Sequence, residues 1–472
     1  RAQRGTTGAL AGLIASLLTV ASDAIQVGVL AGLLAALEPL VLLAVPPFAL
    51  PYLLFRWRSA EARHSEENSR TERRRWTRYF SALVTGHDSA AEVKLLGLGP
   101  LLVARYRALM EEFRAGDRRF DRRELAWSAA FAIATTAVFY ALFARVALRV
   151  VAGGLTVGDI ALFATMSARL RLTLERAIVV AAGALEAALA IGELRAFLSL
   201  EPRMASDGGF APERVRGEID LADVSFAYPE AAGPTLRGVS LHIAPGEVIA
   251  LVGENGAGKT TLVKLLCRFY EPTAGTIELD GVDLRRFPLD DWRERIATGF
   301  QDFARFEFVA RETVGVGDLP RIDSPAVVTG ALARAHGVDV LERLDDGLET
   351  QLGKSYTDGT ELSGGQWQKL ALGRAMMRET PLLLILDEPT SALDAQAEHD
   401  LFERYAESAR RVAADSGAIT VLVSHRFSTV RMADLILVVA GGAIVEAGSH
   451  DELMASGGLY AELYGLQAAQ YS

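Results

Sequence analysis

"GEVIALVGENGAGKTTLVKLL", residues 246–266, decides the fold of half this chain. An uninterrupted apolar run, Val248–Val252, leads into Gly253-x4-Gly258-Lys259-Thr260 and then into residues with helical spacing. A buried strand, a glycine-rich loop and a helix in that order make a phosphate-binding loop. The glycines let the backbone N–H groups of Gly253, Glu254, Asn255, Gly256, Ala257 and Gly258 turn inward onto phosphates. The helix that opens at Lys259, Thr260 and Thr261 adds the positive end of its dipole. Lys259 suits the β- and γ-phosphates, and the Thr260 hydroxyl suits Mg²⁺.

The flanking sequence alternates short β-branched runs with helical segments, the signature of an α/β domain with a mostly parallel sheet. "LLLILDEP" (382–389) is an apolar strand that delivers Asp387 and Glu388 at its carboxyl end, where ligand sites form in such sheets. Asp387 suits the metal and Glu388 suits polarisation of an attacking water, because phosphoryl transfer asks the protein mainly for positioning and electrostatics. Gln301, after "RIATGF", can reach metal or water. His425, ending "AITVLVSH", can contact a γ-phosphate. A second cradle lies about a hundred residues downstream in "ELSGGQWQKLALGRAMM" (361–377). Ser363, Gly364, Gly365 and Gln366 open a helix there, and small residues at a helix start permit close approach to an anion.

The amino-terminal half has a different character. Half of the 472 residues are apolar and the mean hydropathy is positive, which is too apolar for a wholly soluble chain. Residues 1–216 carry 27 Lys+Arg against 20 Asp+Glu, whereas the remainder carries 22 against 39, so two bodies in different surroundings are expected. Gly8 to Phe55 is almost entirely apolar, interrupted by Asp23, Gln26 and Glu38. At about 1.5 Å per residue that is enough for two crossings of a ~30 Å hydrocarbon core, with a turn expected near Gly32. Its prolines are tolerable in a bilayer-spanning helix. The stretch is too long for a cleaved signal peptide. Two further apolar segments, 125–152 and 158–192, are joined by "VAGGLTVGD". The intervening residues 56–124 are rich in arginine and are therefore assigned to the cytoplasm, with the Gly153–Gly154 turn outside. That arginine run is interleaved with Glu61, Glu66, Glu67 and Glu72, as on a solvated helix rather than a nucleic-acid surface. A single cysteine, Cys267, excludes an internal disulfide framework and a multi-cysteine metal site.

The motifs "FAYPE", "GENGAGKTT", "GFQDF", "LSGGQ", "LILDEPTSALD" and "LVSHR", in this order, resemble an ATP-binding cassette. With membrane segments preceding them, the chain is similar to exporter-type ABC half-transporters over nearly its whole length. The expected fold is an all-α transmembrane domain (1–200; crossings near 8–31, 33–55, 125–152 and 158–192), a linker (201–216) and an α/β nucleotide-binding domain (217–472). The resemblance implies ATP-driven export of a small amphipathic drug, lipid or peptide-like molecule, with ATP and Mg²⁺ bound. It implies a plasma-membrane location with the cassette in the cytoplasm, and a second half-transporter as partner, here expected to be a second copy. No nucleic-acid partner is implied. In the family two cassettes meet head-to-tail, so Ser363, Gly364, Gly365 and Gln366 would serve the partner's γ-phosphate. Tyr228 would stack on adenine, and Asp394 would lie at the dimer seam.

Exporters of this type have six crossings, so the four visible here look like the third to sixth of a longer chain. "GHDSAAEVKLLGLG" (86–99) falls at the family's second coupling helix. "SYTDGTE" (355–361) departs from the family's usual "TEVGERG". A soluble cassette ATPase would lack the apolar crossings, and a kinase or small GTPase would have no use for LSGGQ. Finally, "IALFATMSARLRLTLERAIVV" (160–180) carries charges at membrane depth. Arg171 and Glu175 can neutralise one another at i, i+4. Arg169 and Arg176 share another face, which is expected to line the translocation cavity unless another helix, for instance through Asp23, supplies a partner.

Overall fold

The computed structural model describes residues 9–44, 46–86, 89–201, 204, 218–388, 417–424 and 430–468. The expected linker falls almost wholly outside them, as do His425 and Asp394. The chain divides into two compact units, residues 1–201 and 202–472.

The first unit is helical. Helix α1 (Ala9–Leu37) is followed by α2 (Leu40–Ala44), α3 (Pro46–Ser69), α4 (Thr71–Thr85), α5 (Ala90–Leu95), α6 (Gly99–Val151) and α7 (Val157–Leu198). Three of these, α1, α6 and α7, are long and apolar enough to cross a membrane. The turn expected near Gly32 is not there: α1 runs through Gly32 and stops at Glu38 and Pro39. A glycine costs a helix interior only about 1 kcal/mol, whereas a proline removes a donor and clashes with the preceding turn. Pro51 is accommodated inside α3, which is not one of the three long apolar helices, whereas α1 ends before Pro39. The end of the arginine-rich stretch 56–124 and the apolar segment expected at 125–152 are one helix, α6, whose 53 residues make it about 80 Å long. Thr156 and Asp159 form a capping box that starts α7.

Within this unit α1 packs along α7, and α4 along α6. Leu34, Val41, Val146, Phe163 and Leu170 are buried together where α1, α2, α6 and α7 meet. The acidic residues of the apolar stretch are placed with them. Asp23 and Glu38 are fully buried. Asp23 accepts two hydrogen bonds from Arg176, one from Nε at 3.0 Å. Glu38 accepts from Arg145 Nε at 3.0 Å and from Arg149 Nη1 at 3.4 Å.

The second unit is α/β. Strands β1 (Ile219–Phe226), β2 (Leu236–Ile243), β4 (Ala274–Leu279) and β5 (Val282–Asp283) form an antiparallel sheet in the order β2-β1-β4-β5. A six-stranded sheet has the order β10-β9-β3-β8-β7-β6, from β3 (Val248–Val252), β6 (Ile296–Gly299), β7 (Leu383–Asp387), β8 (Ile419–Val423), β9 (Leu435–Ala440) and β10 (Ala443–Gly448). All but the β9–β10 pair are parallel. Every residue of β3, β7 and β8 is buried, which explains why these strands read as continuous apolar runs. β3 lies between β8 and β9, so the carboxyl ends of the central strands open onto one edge. Helices α8 (Lys259–Leu266), α9 (Ala310–Gly315), α10 (Pro325–Arg334), α11 (Gly364–Ala375), α12 (His450–Ser456) and α13 (Leu459–Ala468) are among those that complete the unit. Cys267 is a buried filler whose thiol is pushed up to about 12 by burial.

Candidate functional site

The loop between β3 and α8 is built on glycines in conformations closed to other residues. Gly253, Gly256 and Gly258 have φ of 144°, 82° and 115°. A Cβ on Gly253 would lie 2.1 Å from the Val439 carbonyl oxygen, so the loop is seated directly on β9. Lys259 is buried and donates from Nζ to the carbonyl oxygens of Gly253 (2.8 Å) and Glu254 (3.0 Å), which folds the loop around the ammonium. Burial lowers its pKa, opposed by the carboxylates of Glu388 and Asp387.

A cleft opens above this loop. Asn255, Gly256, Lys259 and Thr260 line one side; Gln301 and Glu388 line the other. Gln301 follows β6 and donates from Nε2 to Glu388 Oε2 at 2.9 Å, joining two residues 87 positions apart. Glu388 takes φ of +47°, a left-handed conformation unfavourable for a glutamate, just past the end of β7. Its backbone N–H donates to the Val423 carbonyl of β8 at 2.9 Å, which fixes the strained turn to the sheet. Asp387, the last residue of β7, is buried. Its pKa is raised chiefly by burial, and a hydrogen bond from Thr260 opposes that shift. Among the described residues its Oδ1 has no hydrogen-bond partner. A buried, unpartnered carboxylate oxygen beside a threonine hydroxyl, with Gln301 close by, is the oxygen-rich donor set a small hard cation such as Mg²⁺ prefers. The residues present fit that ion.

The other expected residues fall as follows. Ser363 caps α11 in a reciprocal box: Ser363 Oγ accepts from Gln366 N (3.3 Å), and Gln366 Oε1 accepts from Ser363 N (2.8 Å). A Cβ on Gly364 or Gly365 would meet nothing within 4 Å, so this helix start presents open backbone. It is not part of the cleft over Lys259. Tyr228 is not in that cleft either. Its hydroxyl is 3.1 Å from Thr261 Oγ1, Lys264 Nζ covers its ring at 5.6 Å, and Tyr270 packs edge-on at 5.2 Å. Thr235 does line the cleft, and sequence reasoning missed it. An isolated threonine at the start of β2 carries no motif.

In the helical unit Arg176 meets the alternative expected for it, a partner on another helix. Arg176 is taken by Asp23 across α1 and α7, because a buried carboxylate demands a cation. Arg169 lies on an exposed face of α7. The apolar cavity in this unit is lined by Phe131, Phe139 and Phe163, and its charged wall is Arg171. Arg171 donates to Glu175 (3.0 Å) and to Thr136 (2.7 Å).

Comparison with known proteins gives consistent results. Residues 236–391 match the family model described as ABC transporter. Over 326 residues the chain is 40% identical to an ATP-dependent lipid A-core flippase of Chromobacterium violaceum, covering 68% of this chain and 53% of that protein. A protein of the same name from Burkholderia orbicola is 44% identical over 270 residues, covering 57% of this chain and 43% of that protein. The chain spans about half the length of the curated relatives it matches. The solved structure of a bacterial Atm1-family ABC exporter with ATP bound aligns with a TM-score of 0.82 at 27% identity, over 99% of this chain and 79% of that one.

Proposed function

This chain belongs to the ABC transporter family, in the exporter-type half-transporter build of membrane helices followed by a nucleotide-binding domain, and from that premise we propose that it couples ATP hydrolysis to export of an amphipathic molecule. The observation that carries the proposal is the cleft itself. Lys259 on its glycine loop and the Gln301–Glu388 hydrogen bond line one opening, and the Asp387 carboxylate is hydrogen-bonded to Thr260 of the same lining. Loop N–H groups and Lys259 bind the phosphates; Thr260, Asp387 and Gln301 hold Mg²⁺. When bound, the ion neutralises charge on the β- and γ-phosphates. Glu388, positioned by Gln301, orients the attacking water and accepts its hydrogen bond. His425 contacts the γ-phosphate and Tyr228 reaches adenine once its ring is uncovered.

The partner is a second cassette, for which Ser363–Gln366 and the helix N-terminus of α11 supply the anion contact, with Asp394 at the seam. Because this chain has both Glu388 and the Ser363–Gln366 cradle, two competent sites and a homodimer are favoured. The relatives named lipid A-core flippase favour a lipid-like cargo. The three long apolar helices favour transport in a membrane over a soluble regulatory ATPase, and the arginine-rich stretch 56–124 favours the cytoplasmic side for the cassette.

The test is Glu388→Gln in the full-length protein. It should bind Mg-ATP normally, hydrolyse it at least about a hundredfold more slowly and accumulate as a closed dimer, since removing one positioned general-base group costs about 10²–10⁴ in rate. Turnover at the wild-type rate would sink the assignment.

A further inference from the structure

We infer that Arg374 is a positioning residue that ties the Gln301 loop to the helix carrying Ser363–Gln366; the inference rests on reading the cleft as an ATPase site. Arg374 occupies the last turn of α11, about 16 Å along the helix axis from Ser363. Its guanidinium bridges two stretches that follow Gln301. Nη2 donates to the Ala304 carbonyl at 3.2 Å and Nε to the Thr313 carbonyl of α9 at 3.1 Å. The guanidinium carbon lies 4.4 Å from the centroid of the Phe306 ring. Thr313 Oγ1 donates to the Phe306 carbonyl at 2.9 Å, so residues 304–306 are held from two sides. Gln301 is three residues upstream of that clamp, and its amide holds Glu388.

The chemistry of the contact is unusual for an arginine. Among the described residues no carboxylate pairs with Arg374, and the loss of hydration lowers its pKa to about 10. A methionine of similar length would fill the space without that desolvation, and buried ion partners are often replaceable by apolar residues at no loss of stability. What the guanidinium adds is a rigid planar fork, which sets two carbonyl groups at a fixed spacing while stacking on a ring. The two ends of α11 therefore meet different parts of the machinery. Its N-terminus presents the anion cradle; its C-terminus grips the loop that places Gln301. A rotation of α11 as the cradle closes on a partner's nucleotide is carried along a stiff rod to residues 304–306. The clamp thereby holds Gln301 in register with Glu388, to which its amide donates at 2.9 Å.

The experiment compares Arg374→Met, Arg374→Lys, Gln301→Ala and the double variant Arg374→Met/Gln301→Ala in the reconstituted full-length transporter. Arg374→Met should lower kcat about tenfold with KM for Mg-ATP within about twofold, and should cost less than about twofold once Gln301 is alanine, as expected for groups acting in one unit. Arg374→Lys should recover part of the loss, because an ammonium can hold one of the two carbonyl groups. Amide exchange over residues 302–308 should rise several-fold in Arg374→Met, while exchange in β3 stays unchanged. Effects that multiply with Gln301→Ala, or kcat losses that merely follow the folded fraction, overturn the inference. Should Arg374→Met fail to fold, Phe306→Leu keeps the apolar volume, removes the ring beneath the guanidinium and carries the same test with a smaller kcat loss. An inactive wild type, or a fully active Glu388→Gln, sinks the ATPase reading alone. The exchange measurement still decides the role of Arg374: unchanged protection of 302–308 overturns it.

Discussion

Replacing Gly253 with alanine should damage the cassette far more than the same change at Gly256, although both glycines stand in one loop. At Gly253 φ is 144°, and an added Cβ would lie 2.1 Å from the Val439 carbonyl oxygen and 3.1 Å from its carbon. Both obstacles are backbone. Val439 belongs to β9, whose Val438 pairs with Val252 in the parallel ladder, so neither side can give without moving a central strand. The backbone conformation alone costs about 1–3 kcal/mol for a non-glycine residue. Displacing packed structure adds about 1–3 kcal/mol, for a sum of about 2–6 kcal/mol. At Gly256 φ is 82°, but a Cβ meets nothing within 4 Å, so only the conformational cost of about 1–2 kcal/mol remains. In a domain of this size each kcal/mol is worth roughly 2–4 °C, so the cassette transition should fall by about 4–24 °C for Gly253→Ala and about 2–8 °C for Gly256→Ala. Calorimetry of the full-length protein without nucleotide reads this directly, because lost phosphate contacts do not enter. Transitions for the two variants that coincide within about 2 °C, roughly the shift expected for 1 kcal/mol, would refute the claim that β9 blocks the position.

Lys259→Met should leave the cassette folded but weaken Mg-ATP about ten- to a hundredfold by calorimetric titration, since a charge-assisted contact is worth roughly 1.5–3 kcal/mol; an unchanged affinity refutes the role. Asp387→Asn should match or exceed the wild type in thermal stability without metal, because burial raises the Asp387 pKa and its charge is a cost there. The same variant should lose the Mg²⁺ dependence of ATP binding, and retention of that dependence would refute metal ligation. On the antiparallel sheet, His242 faces Asp220 (2.9 Å) and Glu218 (3.5 Å), with Glu247 nearby; these carboxylates, Asp220 first, raise its pKa above 6.5. A value raised in the folded state means full stabilisation below about pH 6.5 that is lost as pH climbs through the folded value. The cassette melting temperature should therefore decline across that window in wild type and stay flatter in His242→Asn.

How much was legible in advance follows from how each residue works. The phosphate loop could be read because its glycines are required by backbone geometry and its lysine by charge, so identity and role coincide. Asp387 and Glu388 could be read because a buried strand must end where it delivers them. Tyr228 could not be placed, since an aromatic ring near the site can face the cleft or pack on Tyr270, and the choice lies in tertiary contacts. Arg374 left no trace for a related reason: its acceptors are the carbonyl groups of Ala304 and Thr313, and a carbonyl belongs to any residue. A helix break at Gly32 follows only if Pro39, Pro46, Pro47 and Pro51 are all equally tolerable inside a membrane helix. Pro51 is absorbed inside α3, whereas α1 ends at Leu37, directly before the buried Glu38 and Pro39.

That coincidence of Glu38 with Pro39 also bears on how the helical unit is specified. In an apolar medium there is little hydrophobic force to choose one helix pairing over another, and packing together with polar contacts must do so. The apolar stretch 8–55 contains only two acidic residues, Asp23 and Glu38, and both are fully buried. Asp23 binds α1 to α7 through Arg176. Glu38 binds the end of α1 to α6 through Arg145 and Arg149, with Arg149 also donating to the Leu37 carbonyl at 2.9 Å, where the helix has run out of partners. The two anchors stand 15 residues apart on one helix, about 22 Å along its axis. Together they fix the register of α1 against two different neighbours. An arginine on the wrong face of α6 or α7 would leave a carboxylate unpaired in hydrocarbon, a cost of about 2.5–3.5 kcal/mol or more that no alternative apolar packing offsets. The charges that look anomalous in a membrane segment are therefore what select its helix pairing, with Arg176 committed to Asp23 and Arg171 left as the charged wall of the apolar cavity.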